Sequence, residues 1–340
     1  MDFLTIKDIA KMAGVSPTAV SFVLNNKEGV SEKTREKIKE VISQTGFSPN
    51  IHTRRLNLKK SFNINLAIKQ NQGTLSNVFF MEILLGILSE SRNYDYNIVL
   101  SDISDLNREK RLLYNIRNND SDGIIFIQDP SDYLITQVKE THLPFLIVDT
   151  QNPNSPYTTV RLDYSKAART SVDYLIAKGH KKIAFIGMES HPRFYINTFN
   201  GYKEAIEAAS LSFMPDWIQS SAYDEASSYA CMHRILRSKI LPTVVFCSSD
   251  VFAYSSIKCA KNNGFRVPED ISFFGMDDVY LSRHMQPALS TLRIDTSQMS
   301  KSAMSLIDKM ISGKPSQSVV LSSTTIVERD SVKNICASQT

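Results

Sequence analysis

Hydrophobic positions fall into two unlike regimes along the chain. In residues 5–25 they recur at helical spacing: Ile6, Ile9 and Ala10 form one stripe, and Val20, Val23 and Leu24 form a second. Thr5 suits an N-cap with Asp8 three residues on, and Ser16 suits the cap of a second helix with Pro17 in its first turn. Gly14 supplies the turn, and Val15 can pack between the two helices. A third helix is predicted from Ser31 to Gly46. Ser48-Pro49 breaks it, after which Asn50 can cap a short helix over 51–59. So short a helix is marginal in water and needs DNA or a partner chain to hold it.

From Asn63 the pattern changes to short apolar strands alternating with helices. Strands are predicted at 64–68, 97–100, 123–127, 145–148, 183–187, 243–247 and 271–275. Helices are predicted at 79–88, 107–117, 132–140, 165–178, 201–209, 225–237 and 252–262. Such alternation implies parallel sheets covered on both faces. Two sets in series imply two lobes with a cleft between them, where small ligands bind. The predicted architecture is an all-α helix-turn-helix headpiece plus an α/β two-lobed core. Two helices at a sharp angle, the second presenting small polar groups at its N-terminus, fit a DNA major groove, with an ordinary helical hairpin as the alternative.

Charge sharpens this division. The 340 residues carry a net charge of +4 and are 42% hydrophobic, enough for substantial cores in two or three domains. Residues 1–60 hold 11 Lys and Arg against 6 Asp and Glu, whereas the remainder is nearly balanced. A basic head on a near-neutral body suits a polyanion for the head alone. Cys231, Cys247, Cys259 and Cys336 are widely spaced, as expected of free thiols in a reducing compartment, and no metal or cofactor is expected. No apolar run spans a membrane and Met1-Asp2-Phe3-Leu4 is no signal peptide, so a cytoplasmic protein is expected. No nucleophile elbow, dinucleotide fingerprint, phosphate loop or zinc-helix motif is present, so no enzyme is expected.

Several segments resemble one family. Residues 5–25 (Thr-Ile-Lys-Asp-Ile-Ala through Val-Leu-Asn), then Phe47-Ser48-Pro49-Asn50 and Arg54-Arg55-Leu56, are similar to the headpiece of the lactose-repressor/galactose-repressor family of bacterial transcription regulators. The resemblance continues in Ser76-Asn77-Val78-Phe79-Phe80, in Gly179-His180-Lys181-Lys182-Ile183, in Arg266-Val267-Pro268-Glu269-Asp270 and in Gly275-Met276-Asp277-Asp278. It implies a type I periplasmic-binding-protein-like core whose chain crosses between lobes three times. The expected divisions are a headpiece over 1–47, a hinge over 48–61 and a core over 62–340. Lobe 1 then spans about 62–161 plus 292–322, and lobe 2 about 162–291 plus 323–340. The implied partners are a homodimer's second chain, double-stranded DNA with a palindromic operator, and a small polar effector.

Two sets of candidate residues follow. On the DNA side, Thr5 heads the first helix, and Pro17, Thr18, Ser21 and Phe22 are the expected exposed residues of the second. Ser16, Ser21 and Asn25 are short donors able to reach phosphates. The resemblance puts residues 17, 18 and 22 at base edges. Many members hold arginine at position 22 for a guanine, which Phe22 cannot read. It can meet a thymine methyl, or turn inward as core. Phe47 and Thr53 also depart from the family's tyrosine and alanine. Asn50, Arg54 and Arg55 belong to the hinge, and Leu56 either packs on its twin or wedges into the minor groove.

On the ligand side, the resemblance points to Phe79, Thr198, Tyr223, Ser249, Asp250 and Asp277. Thr198 and Ser249 stand where sugar-binding members usually hold arginine and often asparagine, and Arg193 or His191 can substitute or simply lie at the surface. Asp277 is either an acceptor for hydroxyl and amine groups or a turn carboxylate. Phe79 and Tyr223 either stack on a ring or belong to the core. Three functions remain open on this footing: a ligand-switched repressor, a DNA binder controlled by a partner or by no ligand, and a carrier or enzyme with an added DNA-binding head.

Overall fold

The computed structural model describes residues 4–24, 27–47, 60–70, 77–189, 191–212, 214–321 and 323–336. Two compact units result, residues 1–62 and 63–340. In the first, α1 (Ile6–Ala13), α2 (Pro17–Leu24) and α3 (Glu32–Thr45) enclose a small core of Ile9, Ala10, Ala13, Val20, Val23, Ile38 and Phe47. The polar signals at the helix ends act as the sequence implied. Thr5 and Asp8 form a capping box, Ser16 Oγ accepts from the Ala19 amide at 3.2 Å, and Gly14 and Gly46 close α1 and α3 in the left-handed conformation. Val15 packs against the core between α1 and α2.

The second unit contains two six-stranded sheets. The first lobe begins with β1 (Asn63–Ile68), α4 (Val78–Glu90), β2 (Asn97–Asp102) and α5 (Leu106–Arg117). It continues through β3 (Gly123–Ile127), α6 (Asp132–Glu140), β4 (Phe145–Val148) and β5 (Thr159–Leu162). The chain then crosses into the second lobe with α7 (Tyr164–Ala177), β6 (Ile183–Met188), α8 (Pro192–Ala208), β7 (Ile218–Ser221), α9 (Glu225–Ile235), β8 (Val244–Cys247), α10 (Asp250–Asn262), β9 (Ser272–Asp277) and β10 (Ser290–Ile294). It returns for α11 (Thr296–Ile311) and β11 (Val319–Leu321), and crosses again to β12 (Thr324–Val327). Sheet orders are β11-β5-β4-β3-β1-β2 and β12-β10-β9-β8-β6-β7.

The central strands are continuously apolar because helices cover both faces: Gly123–Ile127 and Val244–Cys247 are buried at every residue. The described pairings are parallel, as expected, except for β10 with β12, where the chain turns back after its last crossing. Ser290–Ile294 pairs with β9, so the second crossing follows Ile294 and not residue 292. The helix predicted over 201–209 begins nine residues earlier, at Pro192. Gly201 is not its start but the point where α8 lies against α7, and a Cβ there would fall on the Ser165 carbonyl oxygen.

Candidate functional site

Between the two sheets of the second unit, the carboxyl ends of strands from both lobes meet around one narrow cavity. Gln128 follows β3, Asp149 and Gln151 follow β4, Met188 ends β6, Ser248 and Ser249 follow β8, and Asp277 ends β9. Helix starts supply the remaining wall: Asn77, Phe79 and Phe80 at α4, Tyr164 at α7, and His191 and Phe194 at α8. Tyr223 closes it from the loop after β7. Parallel strands flanked by helices leave a crevice at this end, so the topology itself builds the site.

The wall sets strained, polar strand ends among aromatic side chains. Gln128, Asp149 and Asp277 hold left-handed backbone, with φ of 65°, 61° and 120°, a conformation retained only where surrounding structure enforces it. Asp149 is buried and accepts from the Tyr164 hydroxyl at 2.6 Å. Burial pushes its carboxyl up to about 7, helped by the nearby Asp129 and opposed by the Tyr164 hydrogen bond. Asp277 accepts from Ser249 Oγ at 3.0 Å, and burial first, then repulsion from Asp250, raises it well above the usual carboxylate range. Burial lowers His191, with Lys69 adding to the effect. Gln128 Oε1, Gln151 Oε1 and Ser248 Oγ are buried without any protein hydrogen-bond partner.

The predicted ligand residues separate into two groups. Phe79, Tyr223, Ser249 and Asp277 line the cavity, and of the two candidate substitutes His191 does so as well. Arg193 is exposed on α8 and Thr198 is fully buried inside it, its hydroxyl donating to the Phe194 and Tyr195 carbonyls, so neither is on the wall. Asp250 is also withdrawn. It accepts from the Val279 amide and from the Ser282 and Thr291 hydroxyls, stapling α10 to the 280–283 turn and to β10. Asp277 and its neighbour divide the two roles: Asp278 is buried between Arg293 and Arg329, at 2.7 and 2.6 Å, and holds the sheet edge.

Gln128, Asp149, Gln151 and Tyr164 were missed. The signal for the first two was present, since each directly follows a correctly bounded apolar strand, where ligands of such sheets bind.

In the headpiece, Pro17 and Thr18 are exposed on α2, whereas Ser21 and Phe22 are half-buried. The Phe22 ring lies over the Gly29 turn and outside the headpiece core, so it neither turns fully inward nor stands clear in solvent. Thr5 and Ser16 are exposed, but their hydroxyls already serve as helix caps. Phe47 is core, which accounts for its lack of a hydroxyl without loss of packing. Asn25, Asn50, Thr53, Arg54, Arg55, Leu56 and the helix predicted over 51–59 lie outside the described residues.

Comparison with known proteins covers both units. The family profile described as "Bacterial regulatory proteins, lacI family" matches residues 5–50, and "Periplasmic binding protein-like domain" matches 172–332. The HTH-type transcriptional repressor PurR of Pasteurella multocida is 30% identical over 338 residues, covering 97% of this chain and 99% of its own. The probable HTH-type transcriptional repressor ExuR of Bacillus subtilis is 30% identical over 342 residues, covering 98% and 99%. Among solved structures, the Lac repressor dimer bound to operator and the anti-inducer ONPF matches with a TM-score of 0.81 at 23% identity, covering 98% of this chain and 100% of that one, a likeness of fold.

Proposed function

Because the chain belongs to the lacI family of bacterial regulatory proteins, we propose that it is a cytoplasmic homodimeric repressor whose grip on a palindromic operator is set by a small polar effector held between the lobes. It acts by binding and not by catalysis. The observation that carries this is the cavity itself. Strained backbone and unpartnered polar atoms at the facing strand ends are retained where a ligand satisfies them, whereas a cleft that had lost its ligand would fill with apolar side chains. That argues against the ligand-independent alternative, although Thr198 has left the wall.

Dimerisation has a surface available to it. Edge strand β2 exposes Val99 and Leu100, α4 exposes Leu85 and Leu88, and the 280–283 turn exposes Tyr280 and Leu281. An edge strand with apolar side chains in water is a liability unless a second chain covers it. In the dimer the two α2 helices address matching half-sites. An effector that changes the angle between lobes alters operator affinity by coupling of about 1–3 kcal/mol.

The test is an operator titration of the full chain with and without candidate effectors. Tyr223→Ala is expected to abolish the effector response while leaving effector-free operator affinity unchanged. A response that survives Tyr223→Ala and Asp277→Asn places the effector elsewhere and defeats the proposal.

A further inference from the structure

The cavity wall has a consistent chemical bias. Its two ionisable acids come from opposite lobes, Asp149 after β4 and Asp277 at the end of β9. Glu82 on α4 and Asp250 behind Asp277 are further carboxyls close enough to raise Asp277, and burial raises both of them as well. Among the described residues no lysine or arginine lines the cavity. Of the cations nearby, Lys69 donates to the Asp129 carbonyl at 2.7 Å, Arg283 lies over the Tyr280 ring, and Arg293 and Arg329 are held by Asp278. Of the three buried unpartnered atoms on residues lining the cavity, Gln128 Oε1 and Gln151 Oε1 can only accept, and the third is the fully buried Ser248 hydroxyl. Phe79, Phe80, Tyr164, Phe194 and Tyr223 supply aromatic faces, which attract cations, and the one basic group on the described wall, His191, is held toward its neutral form by burial.

A buried carboxyl stays protonated unless a counter-charge holds it ionised, and no lysine or arginine of the described wall supplies that charge. We propose that the ligand supplies it: the effector is a small protonated amine on a hydroxyl-bearing skeleton, its ammonium group held between Asp149 of one lobe and Asp277 of the other. This rests on the cleft being the effector site. Hydroxyl donors on the skeleton meet Gln128 Oε1 and Gln151 Oε1, and Ser248 Oγ takes either role. The same arrangement rejects carboxylated and phosphorylated compounds, which would bring a negative charge into a buried wall of acids with no lysine or arginine to meet it. Because the two acids belong to different lobes, the cation links the lobes as it binds, which is the motion a switch requires.

Matched compounds test the charge directly. Thermal shift and calorimetry on the full chain at neutral pH would compare glucosamine, galactosamine, mannosamine and ethanolamine with the parent hexoses, the N-acetylated hexosamines and the hexuronates. The expected result is binding by at least one amine, loss of binding on its N-acetylation, and no binding by the uronates. Asp149→Asn and Asp277→Asn are each expected to weaken that amine at least about tenfold. Binding by a neutral or anionic compound that Tyr223→Ala removes, with the amines inert, keeps the cleft as the effector site and overturns the amine. Binding that ignores all three substitutions overturns the cleft itself. Silence from every amine overturns the assignment of charge.

Discussion

Replacing Asp149 by asparagine should make the core less sensitive to alkali. The carboxyl is 3% exposed and burial holds it at about 7 against an ordinary 3.8. Between those pH values the folded chain keeps a proton that the unfolded chain has released. Folding stability therefore falls as pH rises through that window, and the loss is complete above the folded value. At about 1.36 kcal/mol per pH unit, the loss from this one group between about pH 5.5 and about pH 8.5 is about 2 kcal/mol. The amide cannot ionise and still accepts from the Tyr164 hydroxyl, so Asp149→Asn should lose about 2 kcal/mol less over the same interval. Titrating groups other than Asp277 and Tyr164, which feel the Asp149 charge, cancel between the two proteins. Urea unfolding read by tryptophan fluorescence suits the comparison, because the chain's single tryptophan, Trp217, is buried in the core unit and does not report on the headpiece. Parallel pH dependences for wild type and variant would refute the argument, since they would mean that Asp149 titrates as an ordinary exposed carboxyl.

Three further substitutions probe the supports of the two sites. Thr5→Ala removes the capping box of α1 and should destabilise the headpiece by about 1 kcal/mol in thermal melts followed by circular dichroism. Gly201→Ala drives a methyl group into the Ser165 carbonyl and should cost the core about 2 kcal/mol or more, seen as a lowered urea midpoint. Asp250→Ala strands the Val279 amide and the Ser282 and Thr291 hydroxyls. It should cost about 3 kcal/mol or more in the same assay, while an Arg193→Ala control on the exposed face of α8 stays near wild type.

Much of the fold was legible because its central strands are continuously apolar and sharply bounded. Gly123–Ile127 and Phe145–Val148 lie where the pattern puts them, as does the helix Asp132–Glu140 between them. Strands such as Thr159–Leu162 and Ile218–Ser221 were not, being four residues long and partly polar at sheet positions near the edges. The helix from Pro192 was foreshortened because a glycine in its middle reads as a boundary, whereas its missing Cβ serves the approach of α7. In the site, resemblance located Phe79, Tyr223, Ser249 and Asp277, but spacing alone does not tell which of two adjacent aspartates faces the cavity. Asp277 and Asp278 are distinguished only by the arginines that converge on the second. The same holds for Thr198, whose hydroxyl is claimed by its own helix, and for Asp250, whose three partners come from distant segments.

The central claim is that a dimer of this chain reads a particular inverted repeat in DNA. The most direct measurement is selection of bound sequences from random duplexes by the full-length protein at a stated, near-physiological salt concentration, since affinity without it has no meaning. The account predicts recovery of an inverted repeat whose half-sites lack a conserved guanine, with a thymine in its place, opposite Phe22. Recovery of no motif, with salt-sensitive binding to every sequence, would contradict it.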